Sequence, residues 1–174
     1  MNLSEFVNQY NGTTVGDGEC VALIKAYERD VLGFNQSFGL RYAYMYFTSY
    51  PTNQGLQDHY DRYTLSDGLP TPGDIVVYDS NTGGGAGHVS IVYSNVSPVG
   101  FIGFDQNWST PGRCNIENHT YNHILGFLKP KGSPGPGPGP GPEPGEGSKG
   151  NYKKWLFSKR RTIFLSWHKL KNKI

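Results

Sequence analysis

The sequence lacks the features that mark membrane-spanning and secreted proteins. No window among its 174 residues approaches the roughly 18 continuous apolar residues of a membrane span. The first six residues have neither a basic start nor an apolar run, so we expect no secretory signal. Cysteine is scarce, with only Cys20 and Cys114. A disulfide between them would need an oxidising compartment, which the missing signal argues against.

Size and composition allow one packed domain and little more. The 174 residues are 36% hydrophobic and 17% charged, which is enough for a single core. Tyrosine is abundant at 12 residues and glycine at 24, whereas Leu, Ile and Val are modest. This balance favours strands, turns and a polar cleft.

The charge of the chain divides near its carboxyl end. Residues 1–150 hold eight Lys and Arg and all 14 acidic residues, whereas residues 151–174 hold the other eight basic residues, giving −6 and +8. Before this tail, residues 133–145 alternate Pro and Gly, so they cannot pair into a sheet or form a helix. We therefore predict a folded domain over residues 1–131, a linker over residues 132–150 and a basic aromatic tail over residues 151–174.

The pattern of apolar residues changes midway through the domain. Helical spacing predicts one helix near residues 3–10 and a second near residues 23–31 that ends at Gly33. The Tyr-rich stretch 42–50 is compatible with a helix or with irregular structure, and Pro51 ends it. Strands are predicted at residues 74–78, 88–94, 99–107 and 123–128. Helices followed by an antiparallel sheet predict an α+β domain.

Cys20 stands at the start of the second predicted helix and is the candidate nucleophile. The positive end of a helix dipole favours a thiolate, and unpaired amides of the first turn can bind an oxyanion. A thiol in this setting, with a base nearby, is the type of nucleophile used in acyl transfer. The alternative is a small buried cysteine with no chemical role.

His88 and two polar residues downstream are the candidate partners of this thiol. Residues two apart on a strand share a face, so His88 points away from its apolar neighbours. By the same rule Asp105 and Asn107 share one face of the next strand. A hairpin through residues 95–98 would make the two strands neighbours and bring a polar side chain to the imidazole.

Two further histidines raise the question of a metal site. His119 and His123 are four residues apart, a spacing that suits a metal pair only on a helix. The intervening residues do not predict a helix. We therefore expect both histidines to be solvated loop or strand residues, and we predict no metal site and no cofactor.

Four sequence blocks, in their order along the chain, resemble the CHAP domain family. The blocks are Gly18-Glu19-Cys20-Val21-Ala22-Leu23, Pro72-Gly73-Asp74-Ile75-Val76-Val77-Tyr78, Gly87-His88-Val89-Ser90-Ile91-Val92 and Phe104-Asp105-Gln106-Asn107-Trp108. The family is named for cysteine, histidine-dependent amidohydrolases and peptidases that cut bacterial peptidoglycan, and the resemblance spans roughly residues 3–130. It implies a papain-like (NlpC/P60-like) core with amino-terminal helices packed on an antiparallel sheet. NlpC/P60 cysteine peptidases share this layout, but the last block favours the CHAP domain.

The resemblance also implies roles for the candidate residues. Cys20 would be the nucleophile, and His88 the general base that later protonates the leaving amine. Many relatives have Glu at the position of Asp105 and Asn at that of Asn107, so either could orient His88, with Asp105 ranked slightly ahead. Some relatives bind calcium through acidic residues before the cysteine. Here that stretch has a single carboxylate, Asp17, which is too few for such a site.

The layout of a catalytic domain, a linker and a basic extension resembles that of bacteriophage endolysins. This implies a peptidoglycan hydrolase, with N-acetylmuramoyl-L-alanine amidase slightly favoured over endopeptidase. The alternative is a non-catalytic wall-binding or virion-associated structural protein that keeps the fold.

The expected partners follow from the same resemblance. We expect bacterial peptidoglycan as the substrate, and the basic tail suits anionic wall polymers unless it is a disordered remnant of a wall-binding region. No nucleic acid and no stable membrane insertion are expected, and the protein should be a monomer. An endolysin would accumulate in the host cytoplasm and act at the cell wall.

Overall fold

The helices lie in the amino-terminal half, as the sequence predicts. The computed structural model describes residues 1–132, so the predicted linker, beyond its first residue, and the tail of residues 151–174 lie outside the described residues. Within this range the α-helices are α1 (Leu3–Tyr10), α2 (Cys20–Tyr27), α3 (Met45–Thr48) and α4 (Gln54–His59).

Local sequence explains the limits of the first two helices. The Asn2 side chain accepts the Glu5 amide at 2.9 Å, and the Glu5 carboxylate accepts the Asn2 amide at 2.9 Å. This reciprocal capping pairs two amides that would otherwise lack partners at the start of α1. Helix α2 continues into a wider helical turn, Glu28–Leu32, and ends at Gly33, where the sequence predicts its end.

The tyrosine-rich stretch contains both helical and irregular structure. Helix α3 is only four residues long, and a tighter helical turn, Tyr50–Thr52, follows it with Pro51 inside. Proline fits the first turn of a helix because its missing amide proton would have no helical partner there. Tyr46 of α3 is buried at 2% exposure, so tertiary packing stabilises this short segment.

Six strands form one antiparallel sheet in the described residues. They are β1 (Tyr60–Tyr63), β2 (Ile75–Tyr78), β3 (His88–Ser97), β4 (Gly100–Gln106), β5 (Cys114–His119) and β6 (Ile124–Pro130). Their order across the sheet is β1-β6-β2-β3-β4-β5. The α+β fold class, with amino-terminal helices and an antiparallel sheet, is confirmed.

The sequence predicts the four inner strands and misses the two edge strands, β1 and β5. Strand β5, with the sequence Cys-Asn-Ile-Glu-Asn-His, contains a single β-branched residue, Ile116, and that side chain is 44% exposed. The segment is a strand because it pairs with β4 along its whole length. Pairing with a neighbouring strand thus decides the structure where local preference is weak.

The two faces of the sheet carry different apolar clusters. The larger cluster joins α1 and α2 to Val89, Ile91 and Phe104, and α2 packs directly on β3 and β4. The smaller cluster, on the other face, includes Tyr78 and Phe101. Because α2 lies across β3 and β4, its first residue is held beside the two strands that carry the other candidate residues.

Candidate active site

Cys20 is the first residue of α2 and is almost fully enclosed, with 8% exposure. Glu19, at the cap position, has extended backbone angles of −86° and 155° and makes no side-chain capping bond. The amides of the first turn therefore have no side-chain cap at this helix end. A thiol lies where the partial positive charge of the helix is greatest.

Gln106 fixes the loop that leads to Cys20. Its amide nitrogen donates to the carbonyl oxygens of Val15 at 2.9 Å and Glu19 at 2.7 Å, and its side-chain oxygen accepts the Val15 amide at 2.6 Å. The side chain is fully buried. The sequence assigned no role to Gln106, and its only signal was its place between the two candidate residues Asp105 and Asn107.

His88 begins β3 and is buried at 3% exposure, opposite Tyr78 of β2. The preceding residue, Gly87, has a φ of 73°, which favours glycine. A Cβ on Gly87 would lie 2.7 Å from the Tyr78 carbonyl oxygen and 2.8 Å from Cβ of Tyr44. The absence of a side chain therefore lets the chain enter β3 close to its neighbours and positions His88.

His88 contacts both of the other candidate catalytic groups. Its Nε2 atom lies 3.1 Å from Oδ1 of Asp105, and the Cys20 side chain is near enough to influence the pKa of the imidazole. Burial lowers the pKa of His88, but the hydrogen bond to Asp105 and the proximity of Cys20 outweigh it and raise this pKa from 6.5 to about 9. The imidazole is therefore protonated at neutral pH.

The end of β4 separates the two candidates for orienting His88. If the pairing of β3 with β4 continued, Asn107 would lie opposite His88. Strand β4 ends at Gln106, however, and Asn107 has a φ of 65°, so its side chain leaves the face of the sheet. The structure thus brings Asp105 to the imidazole and leaves Asn107 outside that contact.

Asn107 nevertheless lies beside the candidate site. Its side-chain nitrogen donates to the Glu19 carboxylate at 3.1 Å, and its side-chain oxygen accepts the Gly112 amide at 2.9 Å. These bonds join the loop before Cys20 to the loop between β4 and β5. They also direct the Glu19 carboxylate toward Asn107.

His119 is the residue that the sequence analysis placed wrongly. It was expected to be solvated, but it is 5% exposed and its Nε2 lies 2.5 Å from Oδ2 of Asp105. The Tyr78 hydroxyl lies 2.7 Å from Nδ1 of the same ring. The carboxylate of Asp105 therefore joins two imidazoles, one on β3 and one on β5. Because β5 was not predicted as a strand, its last residue could not be placed on this face.

Trp108 covers the two imidazoles and is partly solvent-accessible. Its ring centroid lies 4.8 Å from those of His88 and His119, and 40% of the residue is exposed. His119 also stacks on Phe101, with ring centroids 5.1 Å apart. The Asp105 carboxylate beneath these histidines is only 1% exposed, and such burial strengthens its hydrogen bonds.

The described residues do not offer a donor set for calcium near the cysteine. Asp17 is the single carboxylate of that stretch, and its side chain accepts the amide of Glu19 at 3.1 Å. No group of three or more His, Cys, Asp or Glu side chains in residues 1–132 could hold a metal ion. These few oxygens do not fit the six to eight ligands that calcium takes.

The two cysteines, Cys20 and Cys114, do not form a disulfide. Cys20 and Cys114 are both free thiols, and Sγ of Cys114 donates to the side-chain oxygen of Gln106 at 3.1 Å. Burial raises the pKa of Cys114 to about 11, so this thiol keeps its proton at neutral pH.

None of the helices between residues 1 and 132 has the length and apolar character needed to cross a membrane.

The fold and the site together define a class of α+β proteins in which a cysteine at a helix start meets a histidine and a carboxylate on an antiparallel sheet. The sequence profile of the CHAP domain matches residues 8–107, which is more than half of the chain. The chain belongs to the CHAP domain family, as the four sequence blocks predict. No curated protein matches the chain significantly.

Solved structures share the fold. The crystal structure of Ly7917 is 19% identical with a TM-score of 0.55, covering 72% of this chain and 60% of that one. Ly7917 with the hydrolyzing product of MDP gives 19% identity, a TM-score of 0.53 and the same coverage. The wild type endolysin LysIME-EF1 is 19% identical with a TM-score of 0.55, covering 75% of this chain and 64% of that one. The chain thus spans less than two thirds of the length of these structures.

Proposed function

We propose that residues 1–131 form a cysteine-dependent hydrolase that cleaves an amide bond of bacterial peptidoglycan. The observation that carries this proposal is the position of His88, which is hydrogen-bonded to Asp105 and near enough to Cys20 for the two side chains to interact. Membership of the CHAP domain family supports the chemistry. The similarity to an endolysin, and to Ly7917 holding a hydrolyzing product of MDP, supports the substrate.

In this proposal Cys20 is the nucleophile. The raised pKa of His88, about 9, means that an imidazolium lies near Cys20 at neutral pH. The reactive form of a cysteine nucleophile is the thiolate. The sulfur attacks the carbonyl carbon of the substrate amide, so that a C–S bond forms and the π electrons move to oxygen. Amides at the uncapped start of α2 are available to stabilise this oxyanion.

Collapse of the tetrahedral intermediate breaks the C–N bond, and His88 gives its proton to the leaving amine. Water then attacks the thioester carbonyl and gives a proton to His88; the C–S bond breaks, which releases the carboxylic acid and restores the cysteine sulfur beside the imidazolium. Asp105 balances the imidazolium. Burial alone would raise the pKa of Asp105, but hydrogen bonds from His119 and His88 lower it, so the carboxylate stays ionised.

Replacing Cys20 tests the proposal directly. The full-length Cys20→Ala variant should release soluble fragments from purified cell walls more than about 10³-fold more slowly than the wild type. Cys114→Ser is the matched control, because it removes the other thiol and keeps a donor toward Gln106; it should retain most of the activity. A Cys20→Ala variant that hydrolyses walls normally would refute the mechanism.

The alternative is a wall-binding or virion-associated structural protein that keeps the fold. The covered surroundings of His88 and Asp105 favour the enzyme, because a binding protein has no need of a buried imidazolium and carboxylate. Pull-down on isolated walls separates the two. Wall binding by a wild-type protein that releases no fragments would support the structural role.

Two amide bonds are candidates for cleavage. We take the N-acetylmuramoyl-L-alanine amide as the first candidate and a bond of the wall peptide as the second, because a Cys–His site can hydrolyse either. Mass spectrometry of digested peptidoglycan distinguishes them. An amidase leaves intact stem peptides with a new alanine amino terminus, whereas an endopeptidase cuts the peptides and leaves them attached to the glycan.

The extension after the domain is proposed to assist binding to the wall. Residues 132–150 would act as a linker, and residues 151–174, with eight basic and no acidic residues, would bind anionic wall polymers. A chain ending at residue 132 keeps every described helix and strand and should fold. Its binding to isolated walls at low salt should be weaker than that of the full chain, and unchanged binding would refute the targeting role.

A further inference from the structure

The Asp105 carboxylate carries one more hydrogen bond than a cysteine, histidine and acid arrangement requires. Its Oδ1 accepts from His88 at 3.1 Å, and its Oδ2 lies 2.5 Å from Nε2 of His119. The Tyr78 hydroxyl then lies 2.7 Å from Nδ1 of His119. The two histidine side chains and the carboxylate are at most 4% exposed.

The chemistry of these groups sets the direction of each bond. An ionised Asp105 can only accept, so His119 must carry a proton on Nε2. A neutral ring with that proton has a lone pair on Nδ1, which accepts the hydroxyl proton of Tyr78. Burial raises the pKa of Tyr78, so the hydroxyl keeps this proton. The result is a chain of donors from Tyr78 through His119 to Asp105.

The space around His119 is shaped for an imidazole. The ring lies between Phe101, at 5.1 Å and nearly parallel, and Trp108, at 4.8 Å. Below it is Gly103 of β4, where a Cβ would come within 2.8 Å of Cδ2 of the ring. A side chain at that position would therefore displace His119, which explains the glycine.

We propose that His119 is a positioning residue for the hydrolytic site: it holds the second oxygen of Asp105, so that the first oxygen faces His88 and the carboxylate stays ionised. This inference rests on the proposed function. Without His119, one oxygen of a buried carboxylate would lose its donor, and the carboxylate would be free to rotate or to take up a proton. His88 would then lose its orientation and its counter-charge.

The titratable groups around Asp105 belong to three strands, to α2 and to one loop. His88 and His119 contact the carboxylate directly. The remaining groups that face this cluster are Tyr78 on β2, Tyr121 after β5, Cys114 on β5 and Cys20 on α2. Of these, only the two imidazoles donate to Asp105, so a change at His119 acts on the site through that carboxylate.

The first test does not depend on hydrolysis. Full-length Cys20→Ala protein labelled with ¹⁵N-histidine is examined by two-bond ¹H–¹⁵N NMR, which distinguishes protonated from unprotonated ring nitrogens. His119 should show a protonated Nε2 and an unprotonated Nδ1, and Tyr78→Phe should shift the Nδ1 signal. A His119 ring protonated on Nδ1 alone would overturn the inference, whether or not the protein hydrolyses peptidoglycan.

The second test measures kinetics. His119→Phe keeps an aromatic ring between its neighbours and removes both ring nitrogens, so kcat should fall on the order of 10- to 100-fold with less change in KM. The acidic limb of the pH profile should move to higher pH, because Asp105 then takes up a proton more easily. His119→Gln, whose side-chain amide can donate to Asp105, should recover part of the loss.

The control is His59→Phe, which removes a half-buried histidine that stacks on Phe34 at 3.9 Å and should leave kcat and the pH profile unchanged. A His119→Phe variant with wild-type kcat, or with a lower kcat and an unshifted acidic limb, would overturn the positioning role. Absence of hydrolysis in the wild type and in His59→Phe would contradict the proposed function instead, and the NMR result would still decide the role of His119.

Discussion

Replacing Asp105 with Asn tests the electrostatics of the site with the smallest change of shape. An amide is almost the same size as a carboxylate but carries no charge. His88 is only 3% exposed, so burial opposes its protonated form, and Asp105 counters this with a hydrogen bond and a negative charge. The variant removes the charge and leaves the burial.

The size of the effect follows from the pKa of His88. A pKa of about 9 in place of 6.5 favours the imidazolium by about 3 kcal/mol, and at pH 7 about 100 rings are protonated for each neutral one. Without the Asp105 charge, burial dominates and this pKa should fall below 6.5. Less than about a quarter of the rings would then be protonated at pH 7. Together with lost orientation of the ring, we expect kcat/KM to fall on the order of 10²- to 10⁴-fold.

The assay is the rate of wall hydrolysis between pH 5 and pH 10, with an NMR titration of His88 beside it. Wild-type activity should fall as the pH rises through about 9, where His88 loses its proton. The alkaline limb of Asp105→Asn should lie below pH 7. Asp79→Asn is the control, because it makes the same change at a more exposed Asp–His pair. An alkaline limb that stays near pH 9 in Asp105→Asn would refute the reasoning.

The same pair should affect stability. The pKa of His88 is raised by folding, so its stabilisation is fully present below pH 6.5 and is lost as the pH rises through about 9. The free energy of unfolding should therefore decrease by up to about 3 kcal/mol across this range. Asp105→Asn should lack this decrease, which urea denaturation at several pH values would measure.

Three further predictions concern the supporting structure. Burial raises the pKa of Glu28 to about 7, so its ionisation should destabilise the fold as the pH rises from 4.5 through 7. Glu28→Gln keeps an acceptor for its hydrogen bond, so it should be more stable than wild type at pH 8 but not at pH 4.5. Thermal unfolding at both pH values would measure this, and an equal stability difference between variant and wild type at the two pH values would contradict it. Gln106→Ala removes three hydrogen bonds to the loop before Cys20, so it should cost about 2–4 kcal/mol of stability and lower kcat. Gln54 is exposed, so Gln54→Ala should change neither. Gly87→Ala should lower the free energy of unfolding by more than about 2 kcal/mol, because the new Cβ would lie 2.7 Å from a backbone atom. Gly84 has a similar φ of 62° but open space around it, so Gly84→Ala should cost about 1 kcal/mol. Equal losses in the two variants would show that the φ angle alone matters.

Sequence patterns were sufficient where the structure depends on neighbours along the chain. The capping pair Asn2 and Glu5 and the apolar spacing of the first helices are local features, and so are the strand-forming runs between turn residues that predict β3 and β4. The side of the strand on which His88 lies follows from the alternating direction of side chains along a strand. These elements and β2 carry the four sequence blocks, so the family was predictable as well.

The sequence alone could not show whether Asp105 or Asn107 contacts His88. Both residues satisfy the alternation rule, and the pairing of β3 with β4 would place Asn107 nearer to His88. The outcome depends on a positive φ at Asn107, which the contacts with Glu19 and Gly112 stabilise. Those partners are far apart in sequence, and only the folded chain brings them together.

The sequence by itself determined the helix that presents Cys20, the strand face of His88 and the family to which the chain belongs. Tertiary structure decided which acid reaches His88, what holds the cysteine loop and where His119 lies. The physical reason is the same in each case. A buried hydrogen bond forms between the groups that strand pairing brings together, and Asp105 and His119 meet only because β5 pairs with β4 despite its weak strand preference.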